Sequence, residues 1–197
     1  GILPTEEGLL FASRRKGESF LGSLFKRFFL KCNTKDIAIG VLDGDLNEKN
    51  SLTTYLKTDE CIGGLYPEYM DPRLLKVGND IYMVYCRQIN RATRDASEAA
   101  LYLAKLKKNN EKWNVVSEKK LVLPESEEFY SKKLVQKKFE KNWMPFSKDG
   151  KLFFIYLVYP EHIILHACPD TGKCSIYSRT HTGCNSIQKD IRGGTPP

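Results

Sequence analysis

The chain has no apolar run of about 18 residues, so no stretch of it reads as a membrane-crossing helix. Ser19–Leu30 is apolar and basic but is broken by Gly22, Lys26 and Arg27. None of the six cysteines (Cys32, Cys61, Cys86, Cys168, Cys174, Cys184) forms a C-x-x-C pair, which argues against a zinc or thiol-redox site. The three histidines, His162, His166 and His181, lack ligand spacing with acids and are expected to be structural. No cofactor is expected. No Asn-x-Ser/Thr sequon is present, which argues against a glycosylated secreted chain. G-x-S-x-G, P-loop and H-E-x-x-H motifs are all missing. Neither an arginine-rich arm nor zinc-finger spacing accompanies the net charge of +7. The lysines are spread along the chain among 24 acidic residues, so we read a basic surface rather than a nucleic-acid interface.

What is present suits one domain or a large piece of one, with 197 residues of which 41% are hydrophobic. Short aromatic and β-branched runs alternate with turn signals. Gly8–Ser13, Arg27–Cys32, Asp36–Leu42 and Ser51–Leu56 read as strands, with turns at Asn33-Thr34-Lys35 and Asp43-Gly44-Asp45. Leu74–Val77 and Ile81–Arg87 make a hairpin about Gly78-Asn79-Asp80. The second of these, IYMVYCR, alternates poorly and is expected to be buried on both faces. Ala99–Lys107 suits a helix by propensity, but Asn109-Asn110 and the Lys112–Val116 run favour a hairpin. Leu121–Leu123, Leu152–Tyr159, His162–Ala167 and Ser175–Tyr177 are further strands, and Pro124–Lys138 is ambiguous. Cys168 and Cys174 flank the turn Pro169-Asp170-Thr171-Gly172, placed either for a disulfide or as buried free thiols. Strands without alternating long helices imply an all-β chain of antiparallel meanders, a propeller or a sandwich.

Two stretches carry polar chemistry. In Cys61–Arg73 (CIGGLYPEYMDPR), Pro72 is expected to push Asp71 toward an extended conformation, with Arg73 beside it. In Phe139–Pro160, Lys141, Asn142 and Trp143 precede a proline-bearing strand end and the Asp149-Gly150 turn. Arg192 precedes Gly193-Gly194, where bare backbone can approach a ligand. Aromatic faces beside carboxylates and arginines suit sugars. The plain alternatives are an internal Asp–Arg turn pair and a tryptophan that belongs to the core.

MDPRLLKVGNDIYMVY resembles the E-D-P-R segment and following hairpin of the five-bladed β-propeller carbohydrate-active enzymes. EKNWMPF…GKLFFIY and IRGGTPP resemble their mannoside phosphorylase and hydrolase branch, glycoside hydrolase family 130, and the β-mannosyltransferases of the same fold. Together these motifs span Glu68–Pro197 in matching order. The resemblance implies a propeller, here a partial one truncated at its C-terminus, acting on a mannoside or related glycan by hydrolysis or transfer. Asp71 would be the catalytic acid. Arg73, Lys141, Asn142, Trp143, Arg192 and Gly193 would bind substrate, and Arg14 and Arg15 would match an early arginine. Met70 departs from the motif's glutamate, and Leu157-Val158-Tyr159-Pro160 stands where the phosphorylases carry phosphate-binding residues, which disfavours phosphorolysis. The alternative is a glycan- or protein-binding propeller without chemistry. Neither reading invokes nucleic acid or a membrane span within this chain, and the secretory pathway and the cytoplasm both remain compatible.

Overall fold

Strand β6 (Asp80–Ile89) shows why this chain is a stack of sheets. Tyr82, Met83, Val84, Tyr85 and Cys86 are all buried, so consecutive side chains, which point to opposite faces, each find a core. A strand of this kind must lie between two other layers. The computed structural model describes residues 1–17, 34–47, 53–56, 67–89, 98–110, 112–124, 142–159 and 161–181. Among them there are twelve strands and no helix.

The strands form three antiparallel sheets of four, each a meander in chain order. The first contains β1 (Ile2–Thr5), β2 (Gly8–Gly17), β3 (Thr34–Leu42) and β4 (Thr53–Leu56). The middle sheet contains β5 (Pro67–Val77), β6, β7 (Glu98–Asn109) and β8 (Lys112–Lys120). The third contains β9 (Met144–Lys148), β10 (Lys151–Leu157), β11 (Glu161–Ala167) and β12 (Cys174–His181). The chain is all-β, as its punctuation by turn residues implied.

Two cores separate the layers. Leu10, Ala12, Ile37, Ile39 and Val41 of the first sheet meet Tyr69, Leu74, Met83, Tyr85, Ala104 and Leu106 of the middle sheet. The opposite face of the middle sheet, with Leu75, Val77, Val84, Cys86, Leu101 and Leu103, meets Leu152, Phe154, Ile163 and Leu165 of the third. The double burial expected of IYMVYCR is therefore observed. β5 packs chiefly on β2 and β3 of the first sheet and also touches β1; it meets β9 of the third sheet, and β4 meets β8.

The hairpin reading of Ala99–Lys107 holds: it is strand, and its register against β6 and β8 places Leu101 and Leu103 on one core and Ala104 and Leu106 on the other. Other local expectations change. Thr34 and Lys35 belong to β3 rather than to a turn. Pro67–Arg73 is not irregular but part of β5, with a bulge between Met70 and Arg73. Its two prolines are tolerated because β5 is an edge strand of its sheet, as is β9 with Pro145. Leu121–Leu123 contributes only a parallel bridge from Val122 to Lys173. The expected strand at Arg27–Cys32, nearly all of Pro124–Lys138, and Cys32, Cys61 and Cys184 lie outside the described residues.

Cys168 and Cys174 are free thiols with contrasting environments. Burial pushes the Cys174 thiol up to about 12. Hydrogen bonds from the Thr171 hydroxyl and from the backbone of Thr171 and Asp170 pull Cys168 below its ordinary value. The turn between them is clamped to the middle sheet, with Val122 N donating to Gly172 O and Cys174 N to Val122 O, each at 2.9 Å.

Three outcomes follow. Gly150 (φ 70) and Gly172 (φ 75) share a left-handed backbone, but a Cβ at Gly150 meets open space and one at Gly172 strikes the Lys120 carbonyl. In chemical denaturation Gly150→Ala should cost about 1 kcal/mol and Gly172→Ala distinctly more; equal losses would contradict this docking. Iodoacetamide at neutral pH should label Cys168 before Cys174, as read by peptide mass. Because the Cys174 pKa is raised on folding, its contribution is complete below the unfolded value of 9.0 and is lost as pH rises toward about 12, so Cys174→Ala should flatten the alkaline loss of stability.

Candidate functional site

Asp71 stands at the bulge of β5, exposed, with φ 52. The sequence rule for a residue before proline predicts extended backbone, and the structure does the opposite. The physical reason is the bulge. Met70 pairs with Cys86 and Arg73 with Val84, so the strand must absorb extra residues between them, and Asp tolerates positive φ better than most residues. Pro72 is buried and cannot donate to the ladder. Positive φ at a non-glycine costs about 1–3 kcal/mol and persists where the surroundings enforce it, often at functional sites.

Arg73 is half-buried, and its Nη1 donates to the Trp143 carbonyl at 3.4 Å, a long bond that links β5 to the start of β9. Burial lowers the guanidinium from its ordinary range, and the Asp71 charge pulls it back up. Asn142 precedes β9 with φ 67 and is partly buried. Two left-handed non-glycine residues therefore flank the place where two first strands meet. Gly1 completes the edge. It exchanges backbone hydrogen bonds with Ala12, at 2.7 and 2.8 Å, and a Cβ there would clash with the backbone of Pro72, Arg73 and Leu74.

The other expected site residues are distributed as follows. Trp143 is core, 2% exposed, edge-on to Phe154 and Tyr156 with ring centroids 5.5 and 5.2 Å away. It supports the edge from behind rather than offering a stacking face. Met70 also packs on that core. Arg14 is exposed in β2 opposite Ile37, and Arg15 is placed by register opposite Asp36. Lys141, Arg192 and Gly193 lie outside the described residues. The structure thus brings together Asp71, Arg73, Asn142 and Trp143. Among the described residues no group of three His, Cys, Asp or Glu side chains is arranged to hold a metal ion.

Sequence reasoning missed a second constellation on the side of β5 that faces the first sheet. Tyr69 pairs with Arg87, and Tyr85 with Tyr102. The Tyr85 ring stands edge-on to Tyr69 at 5.9 Å and stacks on Tyr102 at 5.8 Å. The Arg87 guanidinium caps the two outer rings, 5.9 Å from Tyr69 and 5.7 Å from Tyr102. Burial above all, and then the Glu118 carboxylate, raise the Tyr85 hydroxyl well above its ordinary pKa, although no hydrogen bond of ordinary geometry forms between the two. The cluster joins residues from three strands, so only the pairing register reveals it.

Because the bulge imposes positive φ, Asp71→Gly should keep or raise stability by up to about 1 kcal/mol, Asp71→Asn should be nearly neutral, and Asp71→Val should lose about 1–2 kcal/mol. Urea titrations of the three variants check this; a stable valine variant would remove the claim of strain.

No protein-family model, no curated protein and no solved structure matches the chain.

Proposed function

We propose that the chain is part of a β-propeller that acts on a mannoside or related glycan, with Asp71 as the acid. The observation that carries the reading is Asp71 itself: an exposed carboxylate held at positive φ in a bulge, before a proline, at the meeting of β5 and β9. Three consecutive four-stranded antiparallel meanders with a core between each pair suit consecutive propeller blades. A ligand at that edge meets Asp71, the half-buried Arg73 and the left-handed Asn142. In the reaction, the Asp71 carboxyl gives its proton to the glycosidic oxygen as the bond from that oxygen to the anomeric carbon breaks. The electron pair leaves with the departing sugar hydroxyl. Water or an acceptor hydroxyl then adds to the anomeric carbon and releases its proton. Arg73 fixes the bulge against the Trp143 carbonyl.

The second reading, a glycan- or protein-binding propeller without turnover, is favoured by the burial of Trp143 and by Met70 in the core. Manno-oligosaccharides with and without phosphate, together with nucleotide-mannose donors, separate the two. Under the first reading, Asp71→Asn should lower turnover about 10²–10⁴-fold and leave binding intact. Binding that survives with no turnover in either form supports the second. The absence of any interaction would remove the carbohydrate reading. Binding that weakens steeply with salt would instead point to a polyanion, because a neutral glycan displaces no counterions.

A further inference from the structure

We infer that Arg87 is a specificity residue that receives an anionic oxygen group, a phosphate or carboxylate carried by the ligand, beside the Asp71 bulge. An arginine is always ionised, and a partly buried guanidinium needs acceptors for its fork of donors. Arg87 is partly buried, and its Nε is fully enclosed without a hydrogen-bond partner. Its recorded neighbours are the faces of Tyr69 and Tyr102. Cation–π contact supplies about 0.5–2 kcal/mol and fixes the guanidinium plane, but it offers no oxygen to the N–H groups.

Arg179 provides the comparison. It too is partly buried, yet it donates to Glu161 through Nε at 2.8 Å and lies 2.7 Å from it through Nη2. Lys105 is matched by Asp80 at 2.7 Å, and Lys108 by Glu7 at 2.6 Å. Among the described residues, Arg87 has no such carboxylate. It is nevertheless held more firmly than a surface arginine, between two rings that Tyr85 buttresses from below.

Position connects it to the candidate site. Arg87 is directly opposite Tyr69, and Tyr69 precedes Asp71 by two residues, at the start of the bulge. A ligand seated at the bulge can therefore place an anionic group against the guanidinium while its glycosidic oxygen reaches Asp71. A bidentate fork reads planar or tetrahedral oxyanions alike, so sugar phosphates, uronates and free phosphate share the chemistry. The inference that the anion is borne on a sugar rests on the glycan reading; the anion site itself does not.

The test is thermal stability at constant ionic strength with millimolar phosphate, mannose 1-phosphate, mannose, glucuronate and glucose, for the native chain, R87Q and R87K. A ligand that binds only the folded state raises Tm with concentration. The expected result is a rise with one or more of the anions that R87Q abolishes and R87K retains in part, since lysine keeps the charge but not the fork. Phosphorus NMR line broadening of phosphate or mannose 1-phosphate on the native chain provides a readout independent of how well the variants fold. A rise with phosphate alone assigns free phosphate as the source; a rise with the sugar anions alone assigns a ligand-borne group. Phosphate binding lost in R87Q, together with no response to any sugar, keeps the anion site and removes the glycan reading. Turnover of neutral glycans, with no anion effect on Tm or line width, removes the anion site and keeps the glycan reading. Equal shifts in the native chain and R87Q would overturn the assignment to Arg87.

Discussion

The structure depends on one constraint: strand β6 of the middle sheet is buried on both faces. Along β6, alternate residues belong to different cores, with Met83 and Tyr85 on one and Tyr82, Val84 and Cys86 on the other. A one-residue slip would exchange these sets and move Arg87 from its tyrosines to the opposite face. Register is thereby fixed from both sides at once, and β5 inherits it. Leu74 and Leu75 of β5 anchor in opposite cores directly after the bulge, and Tyr69 and Met70 do so directly before it. The strained residue at position 71 is held by packing at both ends, which is the condition under which an unfavourable backbone survives.

The same arrangement decides where polar groups collect. β5 and β9 are edge strands of their own sheets, and their prolines are tolerated because an edge strand has no neighbour on one side to require an N–H. The two strands pack against each other. The Arg73–Trp143 bond ties two such edges across 70 residues of sequence. Polar contacts of this kind sit where sheets meet, and the sheet interiors are left to apolar packing.

Much of this was legible in the sequence. Aromatic and β-branched runs between Gly, Asn and Asp turns predicted the meanders, because turn residues report local backbone needs that tertiary structure seldom overrides. Asp149, with φ 51, and Gly150, with φ 70, turn as their sequence implied. IYMVYCR declared its double burial by its lack of alternation. Less could be read where the answer lay in pairing. AALYLAKLK has helix-forming residues, and only its cross-strand neighbours make it β7. Asp71 was legible as a special residue, but its backbone was not, because the bulge arises from a mismatch between β5 and β6 rather than from DPR alone. The Tyr69–Tyr85–Tyr102–Arg87 cluster was invisible for the same reason, since none of its pairs is a sequence neighbour.

The partly buried Met70 side chain lies against the core shared with Val84, Cys86 and Phe154, where an ionised carboxylate would be costly without a partner. Methionine fits the packing that holds the bulge. Asp71 is then the bulge's own carboxylate, with cations on either side of the strand: Arg73 toward the third sheet and Arg87 toward the first. Arg73 is committed to a protein carbonyl, whereas Arg87 rests on aromatic faces that accept no conventional hydrogen bond.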